Sequence, residues 1–166
     1  MLRISFRRPS LALAGILIAI GGCAESPSTP AAREFVQRTA DVRYNVSGAG
    51  STSAVINPSG GVLQTAAGDR IVFPAGAVAQ PTRITITSDP RYAGVELEPH
   101  GLQFPAGHEP VLQINMQGSN AGAYRSLSVV YVNESGAVAE VLPTSTGASR
   151  ATANLAHFSG YLVAGG

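Results

Sequence analysis

Short apolar runs separated by glycine and proline fill the C-terminal two-thirds of the chain. Ile84 and Ile86 alternate with polar residues, and so do Leu112 and Ile114, which is the period of two expected of half-buried strands. The chain contains 19 glycines and 11 prolines, and this region has no sustained helical apolar repeat, so long helices are not expected. These features predict one all-β domain over residues 54–166, an antiparallel β-sandwich of about eight to ten short strands.

The N-terminal residues have the pattern of a secretory signal peptide. Three arginines precede an apolar run from Leu11 to Ile20, which is too short to span a bilayer, since that needs roughly 20 residues. Ile20-Gly21-Gly22-Cys23 resembles the lipobox of bacterial lipoproteins, although that family usually has leucine where Ile20 stands. The resemblance implies a signal peptide over residues 1–22 and a lipid on Cys23, the first residue of the mature chain. The alternative is an ordinary signal peptide followed by an incidental cysteine.

The same resemblance implies a location. Cys23 is the only cysteine, so no pair is left for a disulfide. A cysteine that carries more than one acyl chain would be anchored stably in a membrane. Ala24 stands where the lipoprotein family's inner-membrane retention signal has aspartate. We therefore expect a lipid-anchored protein of the cell envelope, in the outer membrane if the cell has one.

A flexible tether is predicted between the anchor and the domain. Residues 23–53 comprise Cys23 and a stretch rich in serine, proline, alanine, threonine and glycine, a composition that buries little apolar surface. Residues 34–46 are less clear because they include Phe35, Val36 and Tyr44. This segment could form a short strand or lie against the domain, and the sequence leaves both possibilities open.

The charge of the mature chain excludes one class of partner. The full chain has 11 lysine plus arginine residues and 10 acidic residues. Removal of Arg3, Arg7 and Arg8 with the leader would leave a net charge of about −2. The chain has no lysine, and no basic run would survive removal of the leader, so nucleic-acid binding has no support. No glycine-rich nucleotide motif is present, and no cofactor is expected.

Three blocks within the predicted sandwich resemble a known family. They are GGVL from residue 60, IVFPAGA from residue 71, and VELEPHGLQF from residue 95, followed by PVL from residue 110. The ordered set is similar to the ZU5 domain of ankyrins, netrin receptors and the death-domain protein PIDD, a domain that also occurs in bacterial surface proteins. The similarity extends from about Gly60 to Met116. It implies a β-sandwich that serves as an interaction or structural module.

The family resemblance also implies a chemistry for one tripeptide, His157-Phe158-Ser159. In PIDD, a His-Phe-Ser tripeptide that follows the domain is self-cleaved before the serine. The resemblance implies the Ser159 hydroxyl as nucleophile, the Phe158 carbonyl as its target and His157 as the base. The alternative is structural, with Phe158 as a core side chain at the start of the last strand and Ser159 as a polar turn residue.

Other polar residues are candidates for a functional site. Glu96 and Glu98 are two apart on a predicted strand and share one face. Paired carboxylates can hydrolyse glycosides, but neighbours on one strand do not converge from opposite sides of a substrate, so a solvated face is favoured. The histidines lack zinc spacing, and the loop carboxylates lack a calcium-loop motif; these residues are His100, His108, His157, Asp69 and Asp89.

The sequence therefore favours a non-catalytic module, held on a membrane through the lipid on Cys23. Its partner would be an unidentified envelope or extracellular protein or glycan. No set of catalytic residue types converges, so the chain is not expected to be an enzyme. The alternative is an autoproteolytic domain that cleaves between Phe158 and Ser159. The aromatic residues that could anchor an exposed contact are the tyrosines, at positions 44, 92, 124, 131 and 161.

Overall fold

The computed structural model of the protein describes residues 33–39 and 50–166. The predicted leader, Cys23 and Tyr44 lie outside the described residues. Within these two ranges, no helix is long and apolar enough to cross a membrane, and the secondary structure is twelve strands and one three-residue 3₁₀ turn, Ala121–Ala123. The strands are β1 Glu34–Phe35, β2 Ser51–Ile56, β3 Gly61–Gln64, β4 Arg70–Phe73, β5 Thr82–Ser88, β6 Gly94–Glu98, β7 Val111–Asn115, β8 Leu127–Val132, β9 Val138–Val141, β10 Ser145–Thr146, β11 Arg150–Asn154 and β12 Gly160–Gly165.

The strands form two antiparallel sheets, which confirms the predicted all-β sandwich. The larger sheet has the order β2-β5-β6-β12-β8-β9, with β1 as an additional partner of β12, and the smaller sheet has the order β10-β11-β7-β4-β3. The structure has more strands than the predicted number of about eight to ten. The two-residue strands β1 and β10 are too short to show an apolar alternation of their own.

Side chains at alternate strand positions form one hydrophobic core between the sheets. Ile84 and Ile86 of β5 are fully buried, as their alternation in the sequence predicted. In β8, Val129 and Val130 are both buried. Both faces of this strand are apolar because β8 lies inside the larger sheet, between β12 and β9.

Three phenylalanine rings form an aromatic cluster within the core. Phe73 ends β4, Phe104 lies between β6 and β7, and Phe158 comes shortly before β12. The rings pack edge to face with centroids between 4.9 and 6.3 Å apart, the arrangement that the quadrupoles of aromatic rings favour. Phe158 is 1% exposed. The structural alternative for Phe158, a core side chain ahead of the last strand, therefore describes its position.

Residues 33–39, which we call the clasp, pack into the sandwich ahead of β2. The first half of β12 pairs with β6. The second half of the same edge of β12 pairs with the clasp. Glu34 lies opposite Gly165, and Phe35 lies opposite Ala164. Tyr124 covers Gly165 so closely that a Cβ there would overlap its ring, and the Tyr124 hydroxyl donates to Glu34 Oε2 at 3.2 Å.

The middle of the clasp is buried. Val36 is 0% exposed, its N–H donates to the Val163 carbonyl, and its own carbonyl accepts from the Ala93 N–H. For residues 34–39, the question left open by the sequence is thus answered: the segment forms a short strand and also lies against the domain. The remainder of the 34–46 segment, from residue 40 onward, lies outside the described residues.

Arg38 joins the clasp to both sheets. Its guanidinium donates to Asp69 Oδ2 at 2.9 Å, to the Tyr92 carbonyl at 2.7 Å and to the Asn115 carbonyl at 2.9 Å. Asp69 and Asn115 flank strands of the smaller sheet, and Tyr92 precedes β6 of the larger one. The side chains of Arg38 and Asp69 are 1% and 0% exposed. Because solvent does not reach this ion pair, removing one partner would leave an uncompensated buried charge.

Asp69 accepts further hydrogen bonds inside the sandwich. Its Oδ1 accepts from the Asn115 N–H at 2.7 Å, and its Oδ2 accepts from the Ser88 hydroxyl at 2.5 Å. Burial raises the pKa of Asp69 above its ordinary value, while Arg38, Ser88 and Asn115 act in the opposite direction. An isolated carboxylate would be unfavourable at this buried position. Arg38, Ser88 and Asn115 offset part of that cost by their charge and hydrogen bonds.

Candidate functional site

One cleft brings together several of the polar side chains that the sequence singled out. It lies at the start of β12, has a volume of about 350 Å³ and is bordered by Glu96, His100 and His157. Tyr131 at the end of β8 and Glu134 in the following turn contribute to the same lining. We call this site the β12 cleft. Its remaining lining residues are Gly101, Val132, Asn133, Phe158, Ser159 and Gly160.

Strand register explains why residues so far apart in sequence meet here. Gly160, the first residue of β12, lies opposite Glu96 of β6 on one side and opposite Val132 of β8 on the other. A Cβ at Gly160 would lie only 2.7 Å from Glu96 Oε2. Glycine at this position therefore leaves room for the Glu96 carboxylate beside β12.

Glu96 and His100 form an accessible pair at the edge of the cleft. His100 Nε2 lies 2.6 Å from Glu96 Oε1, and both side chains are about half exposed. Burial raises the pKa of Glu96; His100 lowers it, and the neighbouring carboxylates of Glu98 and Asp89 raise it. Because the pair remains open to solvent, its oxygens and nitrogens are accessible to a polar ligand, whereas its own contribution to stability is small.

His157 is held in place by three neighbours. Its Nε2 lies 3.6 Å from Glu140 Oε2, and its Nδ1 lies 3.3 Å from the Tyr161 hydroxyl, which donates to the His157 carbonyl at 2.6 Å. The ring of Tyr131 meets the imidazole edge to face at a centroid distance of 5.1 Å. Burial, with Glu140 and Tyr131, raises the pKa of Tyr161, so this hydroxyl stays protonated and remains a donor.

The Phe158–Ser159 peptide bond lies in hydrogen-bonded backbone. The Phe158 N–H donates to the Leu102 carbonyl, and the Phe158 carbonyl accepts from the Gly101 N–H at 3.1 Å. Gly101 has a φ of 74°, a conformation that glycine adopts without strain. A backbone N–H on this carbonyl is the kind of donor that stabilises an oxyanion. In the part of the chain that the structure describes, the nitrogens of His157 contact Tyr161 and Glu140, and no hydrogen bond joins them to the Ser159 hydroxyl.

Glu96 and Glu98 point to the same side of β6, as predicted, with the buried Leu97 between them. They nevertheless line different depressions. Glu98 lies with Arg83 and Thr85 in a more open depression of about 490 Å³, which His100 also borders. The two carboxylates therefore do not face each other across a single enclosed site, as the paired acids of a glycosidase would.

The remaining candidates lie elsewhere. The Nδ1 of His108 is 2.7 Å from the Ala75 carbonyl, and His108 is not part of the β12 cleft. Asp89 Oδ1 accepts from the N–H groups of Arg91 and Tyr92, and Asp69 pairs with Arg38. Among residues 33–39 and 50–166, no three histidine, cysteine or acidic side chains are grouped so that they could hold a metal. The expected absence of a cofactor stays a prediction.

Sequence reasoning missed several contributors. Tyr131 was considered only as one of five tyrosines, and Glu140, the neighbour of His157, was not singled out. Glu140 comes next to the cleft because β9 pairs with β8, with Glu140 opposite Tyr131. The sequence Asn133-Glu134-Ser135-Gly136 after β8 has the composition of a turn, and in the structure Asn133 Oδ1 accepts from the N–H groups of Ser135 and Ala137. Its position beside His157 depends on the tertiary fold.

The chain matches no protein-family model and no curated protein sequence. The residues of the β12 cleft are therefore interpreted from their own geometry and chemistry.

Proposed function

We propose that the protein is a non-catalytic module of the cell envelope, held on a membrane by a lipid on Cys23, and that the β12 cleft is its binding site. The observation that carries the proposal is the convergence of two histidines, two glutamates and a tyrosine in one cleft of the sandwich. The partner would be an envelope or extracellular protein or glycan. The ZU5-like resemblance agrees with an interaction module but does not identify the partner.

The composition of the cleft supports binding of a polar group. Its volume of about 350 Å³ falls within the range of ligand pockets, which is roughly 300–1,000 Å³. Glu96 and His100 supply accessible hydrogen-bonding atoms, and Tyr131 supplies an aromatic wall. The main strands that carry the lining, β6, β8 and β12, are neighbours in one sheet. Glu96 and Tyr131 are on these paired strands, which position binding residues more accurately than loops do, whereas His100 and His157 lie in the segments that flank the strands.

The binding role can be tested with variants of the cleft. We expect the double substitution Glu96→Gln and His100→Ala to weaken capture of native envelope components by the purified protein, because it removes the accessible carboxylate and imidazole at the edge of the cleft. His108→Ala is the matched control, since it removes a histidine outside the cleft. Quantitative mass spectrometry of the captured material is the measurement. Equal capture by the wild type, the cleft variant and the control would contradict the proposal.

The anchor has its own prediction. We expect Cys23→Ala to abolish metabolic labelling with radioactive palmitate and to release the protein from the membrane fraction, because the thiol that would carry the lipid is removed. Ser26→Ala, three residues further along the tether, is the control that should remain labelled. Persistent labelling of the Cys23→Ala protein would contradict lipid attachment at this residue.

Self-cleavage is the second candidate function. The hydrogen bond that the Gly101 N–H donates to the Phe158 carbonyl favours it. The Ser159 oxygen would attack the Phe158 carbonyl carbon, and the Phe158–Ser159 amide bond would break as its nitrogen takes a proton. Water would then hydrolyse the resulting ester. His157, between Tyr161 and Glu140, would have to turn toward Ser159 to transfer the proton.

Intact-mass measurement of the purified protein separates the two functions. We expect a single uncut chain, of the same mass after prolonged incubation, because the nitrogens of His157 contact Tyr161 and Glu140 and not the Ser159 hydroxyl. Release of the peptide of residues 159–166, abolished by Ser159→Ala and unaffected by Ser135→Ala, would instead establish self-cleavage.

A further inference from the structure

We propose that the β12 cleft, together with a second depression that continues from it, binds an arginine or lysine side chain in an extended segment of a protein partner. This inference rests on the binding role proposed for the cleft and deepens it by naming the chemistry of the ligand. It selects a protein over a glycan, because arginine and lysine side chains carry a positive charge at neutral pH, whereas the hydroxyl groups of a glycan are neutral.

The cleft continues into a second depression with a volume of about 320 Å³. Glu96, Val132 and Gly160 border both depressions, and Thr87 borders the second one. Strand register places these residues in one row, since Thr87 lies opposite Glu96, and Gly160 lies between Glu96 and Val132. The row crosses the neighbouring strands β5, β6, β12 and β8 and is about 14 Å long. This length accommodates about four residues of an extended peptide.

Glu96 is the ionisable side chain where the two depressions meet. Its Oε2 occupies the space beside Gly160 that a side chain there would fill, and its Oε1 contacts His100. Within residues 33–39 and 50–166, this contact is the only ion pair of Glu96, and an imidazole does not carry the permanent charge of a guanidinium. Burial and the carboxylates of Glu98 and Asp89 disfavour the ionised form and raise the pKa of Glu96. A cation from a partner would offset both effects.

The other charged residues around the two depressions favour the same ligand. Glu134 borders the cleft, and Asp89 borders the second depression. Among the described residues, no arginine borders either depression, and the chain contains no lysine. The only basic groups in the two linings are the imidazoles of His100 and His157. The charge of the site therefore complements a cation and disfavours phosphate, carboxylate or another anion.

Apolar and aromatic side chains next to the carboxylates favour a peptide as the carrier of the cation. Tyr131 borders the cleft, and an aromatic ring attracts a guanidinium or packs against the apolar stem of a basic side chain. Leu162 borders the second depression. Val138 of β9 lies opposite Val132 and is 37% exposed. An arginine or lysine flanked by apolar residues would contact the carboxylates and these apolar side chains together, as at protein interfaces.

The experiment is an NMR titration of the purified, isotope-labelled full chain with two capped peptides. One peptide has the sequence Gly-Val-Arg-Val-Gly, and the other has citrulline in place of the arginine, which keeps the shape of the side chain but removes its charge. We expect the arginine peptide to shift the backbone amide signals of Glu96, Asn133 and Gly160. The citrulline peptide should bind about fivefold more weakly, because its hydrogen bonds to the carboxylate lack the charge.

A substitution at Glu96 tests the same charge from the side of the protein. Glu96→Gln keeps the size of the side chain and removes the carboxylate, so we expect affinity for the arginine peptide to fall about fivefold and affinity for the citrulline peptide to change little. Glu109→Gln is the matched control, because it removes a carboxylate that borders neither depression, and it should bind both peptides like the wild type. Unchanged amide signals in the core would show that the variants are folded.

Each contrary result has a definite meaning. Absence of shifts with the arginine peptide, equal affinity for the two peptides, or unchanged affinity in the Glu96→Gln protein would overturn recognition of a cation. An equal loss of affinity in the Glu109→Gln protein would show unspecific attraction to a negatively charged surface and would also overturn it. Shifts of the cleft signals by a neutral oligosaccharide of N-acetylglucosamine, and not by the arginine peptide, would overturn the ligand class alone. The cleft would then remain a binding site, and the capture experiment tests that role separately.

Discussion

Replacing Arg38 by methionine is expected to lower the free energy of unfolding by about 3–5 kcal/mol. The substitution keeps much of the side-chain volume but removes the guanidinium that Asp69 and the carbonyls of Tyr92 and Asn115 share. The Asp69 carboxylate would then be buried without its cation. Equilibrium unfolding in urea, followed by circular dichroism, measures the loss.

Two controls test whether the loss of stability comes from the buried Arg38–Asp69 pair or from the removal of any arginine. Arg33→Met alters an exposed arginine at the other end of the clasp and should change the free energy of unfolding by no more than about 0.5 kcal/mol. Arg38→Met combined with Asp69→Asn should recover part of the loss, because the side chain at position 69 is then neutral, its amide oxygen can still accept from the Asn115 N–H, and its amide NH2 can donate to the Ser88 hydroxyl. A loss below about 1 kcal/mol for Arg38→Met would contradict the central role of the pair.

The loss in the Arg38→Met protein should also depend on pH. Burial already raises the pKa of Asp69, and the substitution removes the neighbour that lowers it most. A carboxyl group whose folded-state pKa is raised stabilises the fold in its protonated form, and this stabilisation is lost as the pH rises through that pKa. The destabilisation should therefore be smaller near pH 4 than at pH 7. The same urea experiment at the two pH values checks this, and an equal or larger loss near pH 4 would contradict it.

Replacing Phe158 by alanine is expected to destabilise the protein by about 3–5 kcal/mol. The ring is 1% exposed and packs edge to face with Phe73 and Phe104, so truncation leaves a cavity at one end of the core. Phe158→Leu refills much of that cavity and should cost less than about 1.5 kcal/mol. Thermal unfolding followed by circular dichroism or calorimetry provides the comparison.

An exposed residue serves as the control for the phenylalanine. Val55→Ala removes an apolar side chain that is 50% exposed and should have an effect within about 0.5 kcal/mol. If Phe158→Ala were as mild as Val55→Ala, the ring would not contribute to the core. Both substitutions at position 158 retain the backbone carbonyl and Ser159, so their effects on stability can be measured independently of any cleavage.

The alternation of apolar and polar residues determined which face of each strand is buried. It did not determine which strands pair, or which distant residues come into contact. The alternation around Ile84 and Ile86 predicted inward-facing side chains, because a strand presents successive residues to opposite sides. The same rule predicted that Glu96 and Glu98 would point outward together. The meeting of Glu96 with the segment of His157 requires the pairing of β6 with β12, which are separated by some sixty residues and carry no local signal for their register.

The sequence alone thus predicted the all-β class and the inward-facing side chains of strands such as β5 and β7, since these follow from backbone propensity and from the burial of apolar side chains at a period of two. Only the tertiary structure decided that Arg38, one of three arginines in residues 23–53, is buried against Asp69, and that two distant histidines border one cleft. The physical reason is that a buried charge is tolerated only where specific partners surround it, and here those partners come from parts of the chain that folding alone brings together.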